Sequence, residues 1–243
     1  MLLSISFGII IIVKSIFIMP KEEEKEKQEN YACFPLEKIR GILPQLREAD
    51  IILVHQKHSF IRYLLRIITS SYWDHVALVL FPKDPPKGQF YNQIIEALYP
   101  RGIEIHKLEK YLKDPGTYDV AIKRFPDLDE ATRKRTVAFM LMNVDAPYYK
   151  GSIFSFIFAA LSKKFSIKFL AQQRFCSSGF VQKAFYEAAN WNEREKLIFR
   201  KDYLSPMELE DLTTPADIAN SVNTVWVYNQ PMPGGKNCKP KKL

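Results

Sequence analysis

Cys176 opens the stretch CSSGFVQKAFYEAAN (176–190), in which Phe180, Val181, Ala184, Phe185 and Ala188 recur at helical spacing. A cysteine at a helix start meets unpaired backbone N–H groups and the positive end of the helix, and both favour the thiolate. The same N–H groups can receive the oxyanion formed when sulfur attacks a carbonyl, and Ser177 and Ser178 keep that entrance polar. A thiol nucleophile wants a base, and the base wants an orienting group. Of His55, His58, His75 and His106, the best placed is His75, at the mouth of the alternating run DHVALVLF (74–81). Glu96 stands between Ile95 and Ala97 in QIIEAL, an odd place for an unpaired carboxylate. Singly, each residue has a plainer reading: a packed cysteine, a structural histidine, a solvated glutamate. Their joint layout is what points to nucleophilic chemistry at an amide or ester carbonyl.

The elements that must position these residues are legible from periodicity. READIILVHQ (47–56) reads as a buried strand, and SFIRYLLRIITSS (59–71) as an amphipathic helix. DHVALVLF and QFYNQIIEAL (89–98) flank the proline-rich loop PKDPPKG (82–88), so they are expected to pair antiparallel, bringing residues near 96 beside residues near 75. RGIEIHKL (101–108) and TYDVAIKRF (117–125) read as further strands. The second half is helical: DLDEATRKRTVAFMLMNV (127–144) carries an acidic cap, and Ser205-Pro206 and Thr214-Pro215 pair an N-cap with a proline at the first helical position. NTVWVYN (223–229) reads as a last strand. The expected fold is α+β: an antiparallel sheet or small barrel packed on the helix that bears the cysteine.

The ends of the chain differ from its body. Residues 1–19 are apolar but for Lys14, and the run is interrupted and short for a membrane span. Three readings compete: a membrane anchor with Lys14 snorkelling, an unusual export signal, or a translation start at Met19, which would leave a cytoplasmic protein. Residues 20–33 are a charged linker, 34–230 the folded domain, and 231–243 a basic tail. The net charge is +8, and four lysines lie in the last eight residues, so about half of the excess belongs to the tail. No RNP or zinc-finger pattern accompanies it, and nucleic acid is not an expected partner. Cys33, Cys176 and Cys238 are odd in number and widely spaced, against a disulfide framework or structural zinc. No metal or organic cofactor is expected.

The order ADIILV, helix, WDHVALVL, loop, IIEAL, then PYYKGSIFSF, RFCSSGFVQKAF and TPADIANS resembles the circularly permuted papain-fold hydrolases, the YiiX/YaeF-like branch of the NlpC-type cysteine peptidases. Lecithin:retinol acyltransferase is a more distant relative. The resemblance covers roughly residues 46 to 229. In this branch the histidine strand precedes the cysteine helix, as here. The resemblance implies a catalytic histidine at His75, a third polar residue at Glu96 and the nucleophile at Cys176. It also implies an aromatic substrate contact at Tyr148, with Tyr149 as competitor, and a structural role for PADIANS (215–221). There are departures. The family commonly has an acidic and then an aliphatic residue where Ser178 and Gly179 stand, which puts the substrate pocket in doubt. It often has serine where Asp74 stands; Asp74 is then a turn residue, a second orienter or a substrate contact.

The function implied is a cysteine hydrolase that cleaves an amide, in a cell-wall-type or gamma-linked peptide, through a Cys-His-Glu triad. One alternative is a thiol acyltransferase or lipase on acyl-lipids. For it speaks GSIFSFIFAALSKKFSIKF (151–169), an apolar run followed by Lys163, Lys164 and Lys168 that could meet anionic headgroups at a membrane surface. A catalytically inactive binding module on the same fold is the other alternative. The sequence does not speak to oligomeric state.

Overall fold

The computed structural model describes residues 43–60, 62, 63, 66, 71–82, 92–147, 177–199 and 213–228. At its centre is β1 (Ile51–Gln56), whose Ile51, Ile52, Leu53 and Val54 are all buried. A strand with apolar residues on both faces must be covered on both faces, and this one is also flanked on both edges. β2 (His75–Phe81) pairs with one edge of β1 and β5 (Tyr118–Arg124) with the other. β3 (Gln93–Leu98) and β4 (Gly102–Lys107) extend the sheet beyond β2, and β6 (Val225–Tyr228) extends it beyond β5. The order is β4-β3-β2-β1-β5-β6, antiparallel throughout, with β4 and β6 at the edges. Of the two expected forms, these strands make the open sheet.

Alternation along β2 separates two cores. Val76, Leu78 and Leu80 share one apolar cluster with Val137 and Met140 of α2 (Glu130–Met142) and with Phe180, Val181, Ala184 and Phe185 of α3 (Ser177–Ala188). Ala77 and Val79 share the other cluster with Leu108, Tyr111 and Leu112. Tyr111 and Leu112 belong to α1 (Glu109–Leu112), a single turn between β4 and β5 that covers the second face. This turn is absent from the sequence reading: four residues cannot show a helical period, and β4's alternation simply ends at Leu108.

Two elements are fixed by specific polar contacts. α4 (Pro215–Asn220) begins with a reciprocal capping box between Thr214 and Asp217, with Pro215 at the first helical position. Its C-terminal end is closed by Lys123 of β5, whose Nζ donates to the carbonyls of Ile218 (3.1 Å), Ala219 (2.7 Å) and Ser221 (3.0 Å). The PADIANS segment is therefore an anchored cap, which suits the structural role expected of it. Gly102 opens β4 with φ of +109°, a left-handed conformation that favours glycine, and a Cβ there would lie 2.3 Å from the Ala146 carbonyl oxygen. The close approach lets the loop after α2 dock on the edge of β4, with Ile103 N–H donating to Ala146 O (3.0 Å) and Asp145 N–H to Ile103 O (3.0 Å).

All described residues fall in one compact unit, Leu36–Gln230. Among them no helix is long and apolar enough to cross a membrane. Residues 1–19, the linker 20–33, the Ser205-Pro206 start, the 151–169 run and the basic tail lie outside the described residues.

Candidate active site

β2 begins at His75, and the register of β2 on β3 places Leu78 opposite Ile95 and Val79 opposite Ile94. Extending that register sets Ala77 opposite Glu96, so Glu96 stands diagonal to His75 on the same sheet face. Diagonal neighbours lie about 7–8 Å apart at Cα, within reach of long side chains. The side chains meet: His75 Nε2 and Glu96 Oε2 are 2.6 Å apart, and both residues are buried. With Nε2–H donated to the carboxylate, the His75 lone pair lies on Nδ1.

Glu96 has further partners. Tyr111 OH donates to the same oxygen, Oε2, at 2.5 Å. The other oxygen, Oε1, takes the Lys110 ammonium and lies 3.0 Å from His106 Nδ1. His106 Nε2 in turn is 3.4 Å from Glu104 Oε2, and Glu104 is the register partner of Glu96 on β4. Burial opposes ionisation of Glu96, but the close His106 ring, the hydrogen bond from His75 and the charge of Lys110 hold its carboxyl well below the usual range. Burial lowers the His75 pKa against the opposing pull of Glu96. Tyr111 is raised, first by burial and then by the neighbouring carboxylate, so its hydroxyl remains a donor.

Asp74 is turned to other work. Its Oδ2 accepts from the backbone N–H of Gln56 (3.0 Å) and from Arg66 Nη1 (2.5 Å), and its own carbonyl accepts from Arg62 Nη1 (2.8 Å). Those contacts pin the helical residues Arg62 and Arg66 to the end of β1 and the start of β2. Asp74 does not share the His75–Glu96 hydrogen bond, and its carboxylate is buried against Arg66 and the Gln56 backbone. Ser177 and Ser178 open α3 and are buried, and Ser178 Oγ donates to the Thr213 carbonyl at 2.6 Å, tying α3 to the residue before the α4 cap. Cys176, Tyr148 and Tyr149 lie outside the described residues.

His55, set aside in favour of His75, belongs to a separate group. Its ring stacks on Tyr72 with centroids 4.1 Å apart, and Tyr72 OH donates to Asp119 Oδ2 at 2.6 Å. Among the described residues no group of three or more His, Cys, Asp or Glu side chains is arranged to hold a metal ion. Lys110, Tyr111 and His106 are the site residues that sequence reasoning missed. The available signal was His106, two residues from Glu104 on a strand expected to run beside Glu96.

An antiparallel sheet bearing a buried histidine–carboxylate pair, followed in the chain by a core helix that starts just after a cysteine, defines an α+β protein of permuted papain-like type. The chain matches the family model of the permuted papain-like amidase enzymes, YaeF/YiiX, the C92 family, over residues 45–228, and it belongs to that family. It is thereby a hydrolase of the amidase kind at the level of the family. Among solved structures it is similar to metalloprotein yiiX from Escherichia coli O157:H7, with a TM-score of 0.49 and 14% sequence identity over 77% of this chain and 99% of that one. No curated protein matches it.

Proposed function

We propose that the protein is a cysteine-dependent amidase in which Cys176 is the nucleophile, His75 the base and Glu96 its orienting group. The buried 2.6 Å contact between His75 and Glu96 carries the reading, because it leaves a lone pair on Nδ1 with the ring held in one orientation. His75 Nδ1 takes the thiol proton, and the sulfur attacks the carbonyl carbon of the amide. The tetrahedral oxyanion is received by backbone N–H groups at the start of α3. Collapse breaks the C–N bond while the imidazolium returns its proton to the leaving amine. A water, deprotonated by His75, then cleaves the thioester to release the acid and restore the thiol. The substrate class we favour is a peptide amide, cell-wall-type or gamma-linked.

The test is labelling by an acyl-type thiol probe. Cys176→Ala is expected to fold normally and lose labelling; retained labelling assigns the reactivity to Cys33 or Cys238 and sinks the proposal. The pH dependence of Cys176 alkylation separates enzyme from binding module. Reactivity persisting below about pH 7 fits a catalytic pair, and onset near an ordinary thiol value of about 8.5 fits an inert cysteine. Mass spectrometry of the adduct left by mixed peptide and lipid pools distinguishes a peptidyl from a fatty acyl thioester.

A further inference from the structure

A carboxylate that only oriented an imidazole would need one donor, yet Glu96 receives three and has a fourth nitrogen, His106 Nδ1, 3.0 Å from Oε1. Tyr111 competes with His75 for the same oxygen, Oε2, while Lys110 and His106 face Oε1. Two of these groups come from α1 and one from β4, so the carboxylate is gripped from the sheet and from the turn that covers it. Every extra donor draws negative charge away from the contact with His75. A buried carboxylate without them would hold an imidazolium tightly and make it slow to give up its proton.

We propose that Lys110 and Tyr111 of α1, with His106 of β4, are positioning residues that aim Glu96 at His75 and limit how firmly it holds the imidazolium. The proposal rests on the reading of His75 as the base. The groups that face His75 are Glu96 from β3, Tyr111 from α1 with ring centroids 6.3 Å away, Arg62 from the helical residues, and Asp74 beside it in the chain. Arg62 works against protonation of His75, and Asp74 and Glu96 work for it. Facing Glu96 are His75, His106, Lys110, Tyr111 and the opposed carboxylate Glu104, with the His106 ring between the two acids. α1 thus moderates the one strong anionic influence on the base.

The experiment follows the His75 imidazole by long-range proton–nitrogen NMR in the full chain, across pH, with histidine labelled by nitrogen-15. Lys110→Met and Tyr111→Phe are each expected to raise the His75 midpoint by about half a pH unit or more, roughly threefold in proton affinity. Lys110→Arg, which keeps the charge, is expected to restore the wild-type midpoint. The Lys110 side chain is 31% exposed, so Lys110→Met leaves the core intact. An unmoved or lowered midpoint in that variant overturns the proposal, whatever Tyr111→Phe does. The readout needs no turnover. If the midpoints shift as expected but thiol labelling is indifferent to His75→Ala, the functional reading fails and the positioning result stands. If labelling depends on His75 and the Lys110→Met midpoint stays put, the reverse holds.

Discussion

At the residue scale the central feature is a carboxylate buried beneath the sheet surface and crowded with donors. Glu96→Gln keeps the shape and removes the charge. It strips the neutralising partner from Lys110 and replaces an acceptor with an amide that can present a donor to His75. Thiol labelling at neutral pH is expected to fall on the order of a hundredfold or more, the scale of a lost acid–base contribution, with the fold retained. A rate within about threefold of wild type would show that Glu96 does not act through His75. Asp74 illustrates the opposite outcome for an acid next to the same imidazole. Adjacent strand residues point to opposite faces, so its carboxylate meets Arg66 while His75 meets Glu96.

At the element scale, the site depends on how α1, α4 and the edge of β4 are held. Lys123 is buried, and burial lowers its ammonium to about 8 while three carbonyls at the end of α4 accept from it. Lys123→Met would fill similar space but leave those carbonyls without their donor. A loss of about 2–4 kcal/mol is expected in urea unfolding, and a loss under about 0.5 kcal/mol would mean that water replaces the ammonium. Gly102→Ala combines left-handed backbone with a contact no Cβ tolerates. It is expected to cost at least as much and to loosen the docking of 145–146 on β4, read as faster amide exchange at Ile103.

At the scale of the whole molecule, the buried pair predicts the acid limb of stability. His75 has its folded pKa below its ordinary 6.5, so on acidification the unfolded chain takes up this proton first. Stability from this group is therefore present above about pH 6.5 and is lost as pH falls below it. Glu96 is likewise depressed from its ordinary 4.5, so its contribution is present above that value and is lost as pH falls toward its folded pKa. Thermal unfolding from pH 8 to pH 2 is expected to show two successive losses, the first beginning near pH 6.5 and the second below about pH 4.5. Glu96→Gln should flatten the lower one. A profile of the same shape in wild type and variant would remove Glu96 from the account.

Much of this molecule is determined by local sequence. The continuous apolar run in IILVHQ, the strand pattern of DHVALVLF, the loop that forces a hairpin, the Asp129 and Thr214 caps and the apolar stripe of α3 are all short-range signals, and each element lies where they place it. The meeting of His75 with Glu96 was also within reach, because an antiparallel hairpin converts sequence spacing into register. Other features required the folded chain. α1 is too short to carry a period, yet it delivers Lys110 and Tyr111 because the crossing from β4 to β5 lays it over the Glu96 face. Lys123 reads as a solvated strand charge until α4, about 95 residues later, brings carbonyls to it. The allegiance of Asp74 turns on helical arginines that no strand pattern reveals. Local propensities determine which segments become strands and helices; which buried charges find one another depends on topology, since a charge's partner is set by distance in space and not along the chain.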